Sequence, residues 1–152
     1  MIATPCHAQS HELKIASTLV MQSQLETAIA FDQMPWLLPA LLQLEDLQAT
    51  GTEIPGIGDL RIAADTATHT RQLFSRITLK QLEAPKLSPI SGGGVGISFA
   101  QGQKEVTFTI FPDESDIGYM LTNESDEIVK DGLLTVDRQN QINSSLKWLS
   151  VS

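Results

Sequence analysis

The chain has 152 residues, of which 41% are apolar, and its 18 acidic and 10 basic residues give a net charge of −8. This length predicts one domain with a buried core, and this composition excludes a disordered chain. The scarcity of Lys and Arg argues against nucleic-acid binding, because that affinity depends on basic side chains that neutralise phosphates.

The first part of the chain is predicted to be helical. Residues 1–9 resemble a flexible tail, and apolar spacing after Ser10 predicts a helix over about 10–33. Pro35 ends that helix, and a second helix over about 39–48 follows. Because the stretch Thr50–Gly58 has the composition of a loop or linker, the 10–50 segment either packs on the rest of the chain or forms a helical arm.

The second part, residues 59–136, is predicted to be a helix followed by a sheet. A helix over about 60–77, with Asp59 as its N-cap, carries one apolar face. From about 87 to 136 the apolar residues alternate with polar ones, which is typical of half-buried antiparallel strands. We therefore expect an α+β fold in which a four- to five-stranded antiparallel meander packs on the 60–77 helix. Its turns are predicted at Gly92–Gly94, Gln101–Gly102, Pro112–Asp116, Asn123–Asp126 and Asp131–Gly132.

The last residues, 139–152, fit two structures. Ile142, Leu146 and Leu149 have helical spacing, whereas Leu146, Trp148 and Ser150 have strand spacing. A short helix is favoured.

The residues that carry chemistry are sparse. Cys6, His7 and His11 are one ligand short of a structural zinc site, so neither a metal nor another cofactor is expected. The glycines at 92–94 precede a strand instead of a helix, which favours a turn over a phosphate-binding loop. His69 lies alone on its predicted helix and no nucleophile motif accompanies it, so we expect no enzymatic activity.

Two features are candidates for contact with a partner. The segment Trp36–Leu38 is apolar on nearly all sides, which indicates either core or a covered interface. Acidic residues crowd into two predicted turns that are close in sequence and would attract a basic protein. The candidate partner-binding residues are Trp36, Leu37, Leu38, Asp113, Glu114, Asp116, Glu124, Asp126 and Glu127.

The cellular location is predicted from the targeting and membrane signals that the sequence lacks. A single cysteine, Cys6, does not support secretion, and the first residues lack the pattern of a signal peptide. The longest apolar stretch, Met34–Leu44, contains two prolines and is too short to span a bilayer. A cytoplasmic protein without membrane association is expected.

Five short segments within residues 59–134 follow one another in a recognisable order: Ala84–Pro89, Gly93–Phe99, Val106–Ile110, Pro112–Asp113 and Ile117–Tyr119. They resemble a family of small, largely uncharacterised bacterial proteins. The family pattern is a helix, a segment similar to P-x-I-S-P-T-x-x-G-G-I-x-L-E-W, and alternating strands with a Pro-Asp turn and a Tyr. The chain departs from the family pattern at Ser98-Phe99, which replaces E-W, and at Gly56–Asp59, which replaces a W-D-G segment. The resemblance implies a bacterial or phage α+β protein and carries no catalytic residues over.

We therefore expect a non-catalytic acidic protein that engages or neutralises a protein partner, as an antitoxin, immunity protein or phage inhibitor does. A small enzyme or metal-binding protein is one alternative. A homo-oligomeric structural module is the other.

Overall fold

The computed structural model describes residues 34–49, 52–54 and 58–151. The predicted tail over 1–9 and helix over 10–33 lie outside these residues.

The first described helix, α1 (Leu37–Ala49), begins two residues before its predicted start. The Leu37 N–H donates to the Met34 carbonyl, and the Ala40 N–H donates to the Trp36 carbonyl. Pro39 falls in the first turn, where a missing N–H costs no intrahelical bond. Ala40 and Leu44 are the buried positions of the helix.

The predicted loop over Thr50–Gly58 was wrong, because two short strands form there. Strands β1 (Thr52–Ile54) and β2 (Gly58–Leu60) pair antiparallel from Thr52↔Leu60 to Ile54↔Gly58. Each strand has three residues, which is too few for an alternation to be visible in the sequence.

Helix α2 (Ala64–Arg76) is shorter than its predicted range, because Leu60 and the predicted N-cap Asp59 belong to β2. The helix N-cap is Ala63, which offers no capping side chain. Its N–H instead donates to the Gly93 carbonyl over 3.0 Å, and the Thr66 hydroxyl donates to the same oxygen over 2.6 Å. The start of α2 is therefore fixed by the turn that precedes the central strands of the sheet.

The larger sheet is an antiparallel meander, as predicted. Its order is β3-β4-β5-β6-β7, and every neighbouring pair is antiparallel. The five strands are β3 (Lys86–Ile90), β4 (Gly94–Gln101), β5 (Lys104–Ile110), β6 (Ile117–Thr122) and β7 (Ile128–Leu134).

The predicted turn at Asp131–Gly132 was wrong, since both residues lie inside β7. Gly132 pairs with Tyr119, and a Cβ atom added to Gly132 would meet the Tyr119 ring at 3.2 Å. An Asp-Gly pair is typical of a hairpin turn. Here the missing side chain of Gly132 instead leaves room for the Tyr119 ring.

The core lies on one face of this sheet, beneath the helices. Trp36 stands near its centre, with ring centroids 5.6 Å from both Phe74 and Phe99 in edge-on contacts. Its indole Nε1 donates to the Leu79 carbonyl over 2.9 Å. The buried residues of the three central strands alternate as predicted: Val95, Ile97, Phe99, Val106, Phe108, Ile110, Ile117, Tyr119 and Leu121. The α+β class is confirmed.

The last segment is helical, which resolves the two alternatives left by the sequence. Helix α3 (Gln139–Lys147) buries Ile142, Ser145 and Leu146, and a 3-10 turn over Trp148–Ser150 follows it. Lys104 lies over the Trp148 ring, 4.9 Å from its centroid, and donates to the Trp148 carbonyl over 3.3 Å. These contacts attach the end of the chain to the β4–β5 turn.

The β3 edge of the sheet is closed by a side chain of α1. Gln43 donates from Nε2 to the Pro85 carbonyl over 2.7 Å, and its Oε1 accepts from the Leu87 N–H over 3.0 Å. The amide thus satisfies one backbone acceptor and one backbone donor, as a neighbouring strand would.

Gln43→Leu is expected to lower the free energy of unfolding by about 1–2 kcal/mol, because two part-buried backbone groups lose their partners. Urea denaturation measures the change. Gln72→Leu, at an exposed position of α2, is the matched control and is expected to change stability by less than about 0.5 kcal/mol. Equal losses in the two variants would show that the Gln43 contacts contribute nothing.

Candidate functional site

The predicted turn is confirmed at Gly92 and Gly93, whereas Gly94 is the first residue of β4. Gly92 and Gly93 have φ values of +93° and +84°, which L side chains rarely adopt. The turn leads into β4, and its contact with α2 is made through the carbonyl of Gly93. An anion-binding loop would present N–H groups instead, so this segment serves to attach the sheet to α2.

The apolar segment Trp36–Leu38 divides between core and surface. Trp36 is 1% exposed and belongs to the core, whereas Leu37 is half-buried and packs against that core. Leu38 is 39% exposed, and Leu42, one turn further along α1, is 55% exposed. Since α1 packs beside β3, these two leucines lie on the helix that covers the β3 edge of the sheet.

The six acidic candidate residues lie in two separate turns. All six are exposed at the ends of β6, a strand of six residues. A strand of this length spans about 20 Å. One group precedes β6 and the other follows it: Asp113, Glu114 and Asp116, then Glu124, Asp126 and Glu127.

The second acidic group is held in a defined turn next to β7. The Asn123 Oδ1 accepts from the Ser125 N–H over 2.9 Å and from the Glu127 N–H over 3.1 Å. The Asn123 N–H donates to the Glu127 carbonyl over 3.0 Å, and Asp126 has a φ of +60°. These bonds place the acidic side chains at the start of β7.

Strand β7 is the feature that sequence reasoning missed. Every residue of the strand except Leu134 is exposed. Ile128, Val129 and Leu133 are 57%, 52% and 67% exposed, respectively. Its apolar residues were visible in the sequence, but the predicted break at Asp131–Gly132 divided the strand and hid its length.

The two edges of the sheet therefore differ. The β3 edge contacts α1 and carries Pro89, which has no N–H to offer another strand. At the β7 edge, exposed apolar side chains lie beside Asp131 and the acidic turn. We call the set Ile128, Val129, Asp131, Leu133, Glu124, Asp126 and Glu127 the acidic edge.

Beyond Leu134, the chain passes a small cleft that contains the histidine of α2. His69 is half-buried and lines a cleft of about 200 Å³ with Gln72, Glu114 and Thr135, among others. This volume is below the ~300 Å³ typical of small-molecule sites.

The Thr135 hydroxyl donates to the Asp137 carboxylate and lowers the pKa of Asp137, so that carboxylate stays charged at neutral pH.

The candidate metal ligands Cys6, His7 and His11 lie outside the described residues. Within residues 34–49, 52–54 and 58–151, no three His, Cys, Asp or Glu side chains are grouped so that they could hold a metal ion. In the same ranges, no helix has both the length and the apolar character needed to cross a membrane.

Comparison with known proteins identifies no relative: no family model, curated protein or solved structure matches the chain. The resemblance to small bacterial proteins stays a prediction.

Proposed function

We propose that this chain is a non-catalytic acidic protein that binds another protein through the acidic edge. The observation that carries the proposal is the exposure of Ile128, Val129 and Leu133 on one edge strand. Scattered exposed apolar residues are ordinary, but an exposed apolar edge strand invites association, and proteins usually protect such edges.

The charge of the surface supports a basic partner. Glu124, Asp126 and Glu127 precede Ile128 in the chain, Asp131 lies between Val129 and Leu133, and Lys130 is the base within that stretch. Complementary charge accelerates encounter with a basic surface and disfavours acidic competitors. The net charge of −8 disfavours nucleic acid as the partner.

We further propose that binding neutralises the partner, as in an antitoxin, immunity protein or phage inhibitor. The acidic composition and the resemblance to small bacterial proteins support this class. Its fold does not by itself specify a function.

The proposal is tested by affinity capture of binding proteins, with the full chain and two variants of it as baits. Ile128→Thr/Leu133→Thr removes apolar contact while keeping residues that favour strands. Leu42→Thr, which changes an exposed leucine of α1, is the matched control. A protein retained by the wild type and the control, but lost with the double variant, is then purified for calorimetry.

The expected result is a dissociation constant at least tenfold larger for the double variant than for the wild type, as two interface side chains worth about 1 kcal/mol each imply. The Leu42→Thr constant is expected to remain unchanged. Identical sets of retained proteins for all three baits would overturn the proposal.

A further inference from the structure

We propose that the partner contributes an extended basic segment that pairs with β7 as a sixth strand of the sheet. This inference rests on the proposed function and names its mode of recognition. Among the described residues β7 has one neighbouring strand, β6. Because alternate backbone groups of a strand point to opposite sides, about half of those in β7 are directed away from β6.

The register of β7 determines what an added strand must present. Gly132 pairs with Tyr119 and lies on the covered face, so Asp131 and Leu133 lie on the opposite, open face. Directly opposite side chains on one face of a sheet interact, and a favourable pair has opposite charges or two apolar groups. The added strand therefore needs a basic residue opposite Asp131 and an apolar residue opposite Leu133.

Towards the start of β7, the open face continues past a shift in the pairing with β6. The register shifts between Leu121 and Thr122, so that Leu121 pairs with Lys130 and Thr122 pairs with Ile128. Val129 is the extra residue of this bulge. A second apolar residue, two positions beyond the basic one, would lie against Ile128 and Val129.

A second copy of the chain fits this edge poorly. A two-fold axis perpendicular to the sheet can join two antiparallel β7 strands into one continuous sheet. The residue on that axis then lies directly opposite its own copy. An axis at Asp131 opposes two carboxylates, and an axis at Lys130 opposes two ammonium groups. An axis at Gly132 places Asp131 against Leu133. Each of these registers opposes like charges or sets a charge against an apolar side chain. An axis at any other residue of β7 pairs three or fewer of its seven residues. A basic segment from a different protein is therefore the better occupant.

The probe is an acetylated and amidated heptapeptide with the sequence threonine-valine-threonine-arginine-threonine-valine-threonine. It reads the same in both directions, so it offers the same side chains to a parallel and to an antiparallel approach. Titration of the isotope-labelled full chain is followed by the chemical shifts of its backbone amides. The expected result is saturable shifts concentrated in β7, which identify the edge.

Two further peptides test the chemistry of this contact. Exchange of the arginine for glutamate is expected to weaken binding about fivefold, because an attractive cross-strand pair becomes repulsive. N-methylation of all the threonines in one peptide, and of valine and arginine in another, blocks the two alternate sets of N–H groups separately. One of these peptides is expected to lose binding and the other to keep it, since one set points to β7.

The outcomes separate this inference from the proposed function. Absence of β7 shifts at millimolar peptide, or equal binding by both methylated peptides, would overturn strand addition. If the purified partner still distinguishes Ile128→Thr/Leu133→Thr from the control in that case, the acidic edge remains the binding surface with a different mode of contact. If the partner makes no such distinction, the proposed function fails by its own test.

Discussion

Replacement of Trp36 by alanine is expected to lower the free energy of unfolding by about 4 kcal/mol, the largest loss that we predict for a single change in this chain. The indole is 1% exposed and contacts Phe74 and Phe99 edge-on. Alanine would leave a cavity among these rings and would remove the donor to the Leu79 carbonyl. Urea denaturation, followed by far-ultraviolet circular dichroism, measures the loss without relying on the removed fluorophore.

Trp36→Phe separates the two contributions. Phenylalanine keeps an aromatic ring in the core but cannot donate to Leu79, so a loss of about 2 kcal/mol is expected from the missing bond and the smaller volume. A loss below about 1 kcal/mol for Trp36→Ala would mean that the segment Trp36–Leu38 does not anchor the core.

Gly94→Ala is expected to cost about 2–3 kcal/mol, the second largest effect. A Cβ atom at this position would lie 2.6 Å from Cδ1 of Phe111 and 2.8 Å from the Ile110 carbonyl oxygen. The half-buried Phe111 ring can move, but the carbonyl belongs to the last residue of β5 and moves only with the strand. Thermal and urea denaturation measure the cost.

Gly96→Ala is the matched control in the same strand. The nearest atom to its added Cβ is the Ile90 Cδ1 at 3.7 Å, an ordinary contact. Since alanine also restricts the unfolded chain, stability is expected to stay within about 0.5 kcal/mol of the wild type or to rise slightly. Equal losses at both positions would contradict the steric explanation for Gly94.

The sequence predicts the sheet better than the connections between its elements. Alternation in β4, β5 and β6 is a local signal, because each strand has one face on the core. The hairpin of β1 and β2 is too short to show alternation, and Gly132 was predicted as a turn because its contact with Tyr119 comes from another strand. Thr66 is buried on α2, where its hydroxyl bonds to the carbonyl of Gly93, 27 residues away, which no local pattern identifies.

The candidate surface was predicted in its acidic residues and not in its arrangement. The exposure of the acidic turns follows from their composition, and the structure agrees. Two turns that flank one strand lie at its opposite ends, so the separation of Asp116 from Glu124 already follows from a strand between the two predicted turns. The free edge was not identified, because the turn predicted at Asp131–Gly132 divided β7 into two shorter strands.

The closure of β3 by Gln43 also limits the stoichiometry of any assembly through the sheet. A chain that extends its sheet at both edges can polymerise, because each added copy exposes a new site for the next. Here one edge is occupied by the amide of Gln43 and interrupted by Pro89. Pairing at β7 therefore adds one partner segment per chain. Because the β3 edge is closed, the sheet cannot grow from that side into a fibre.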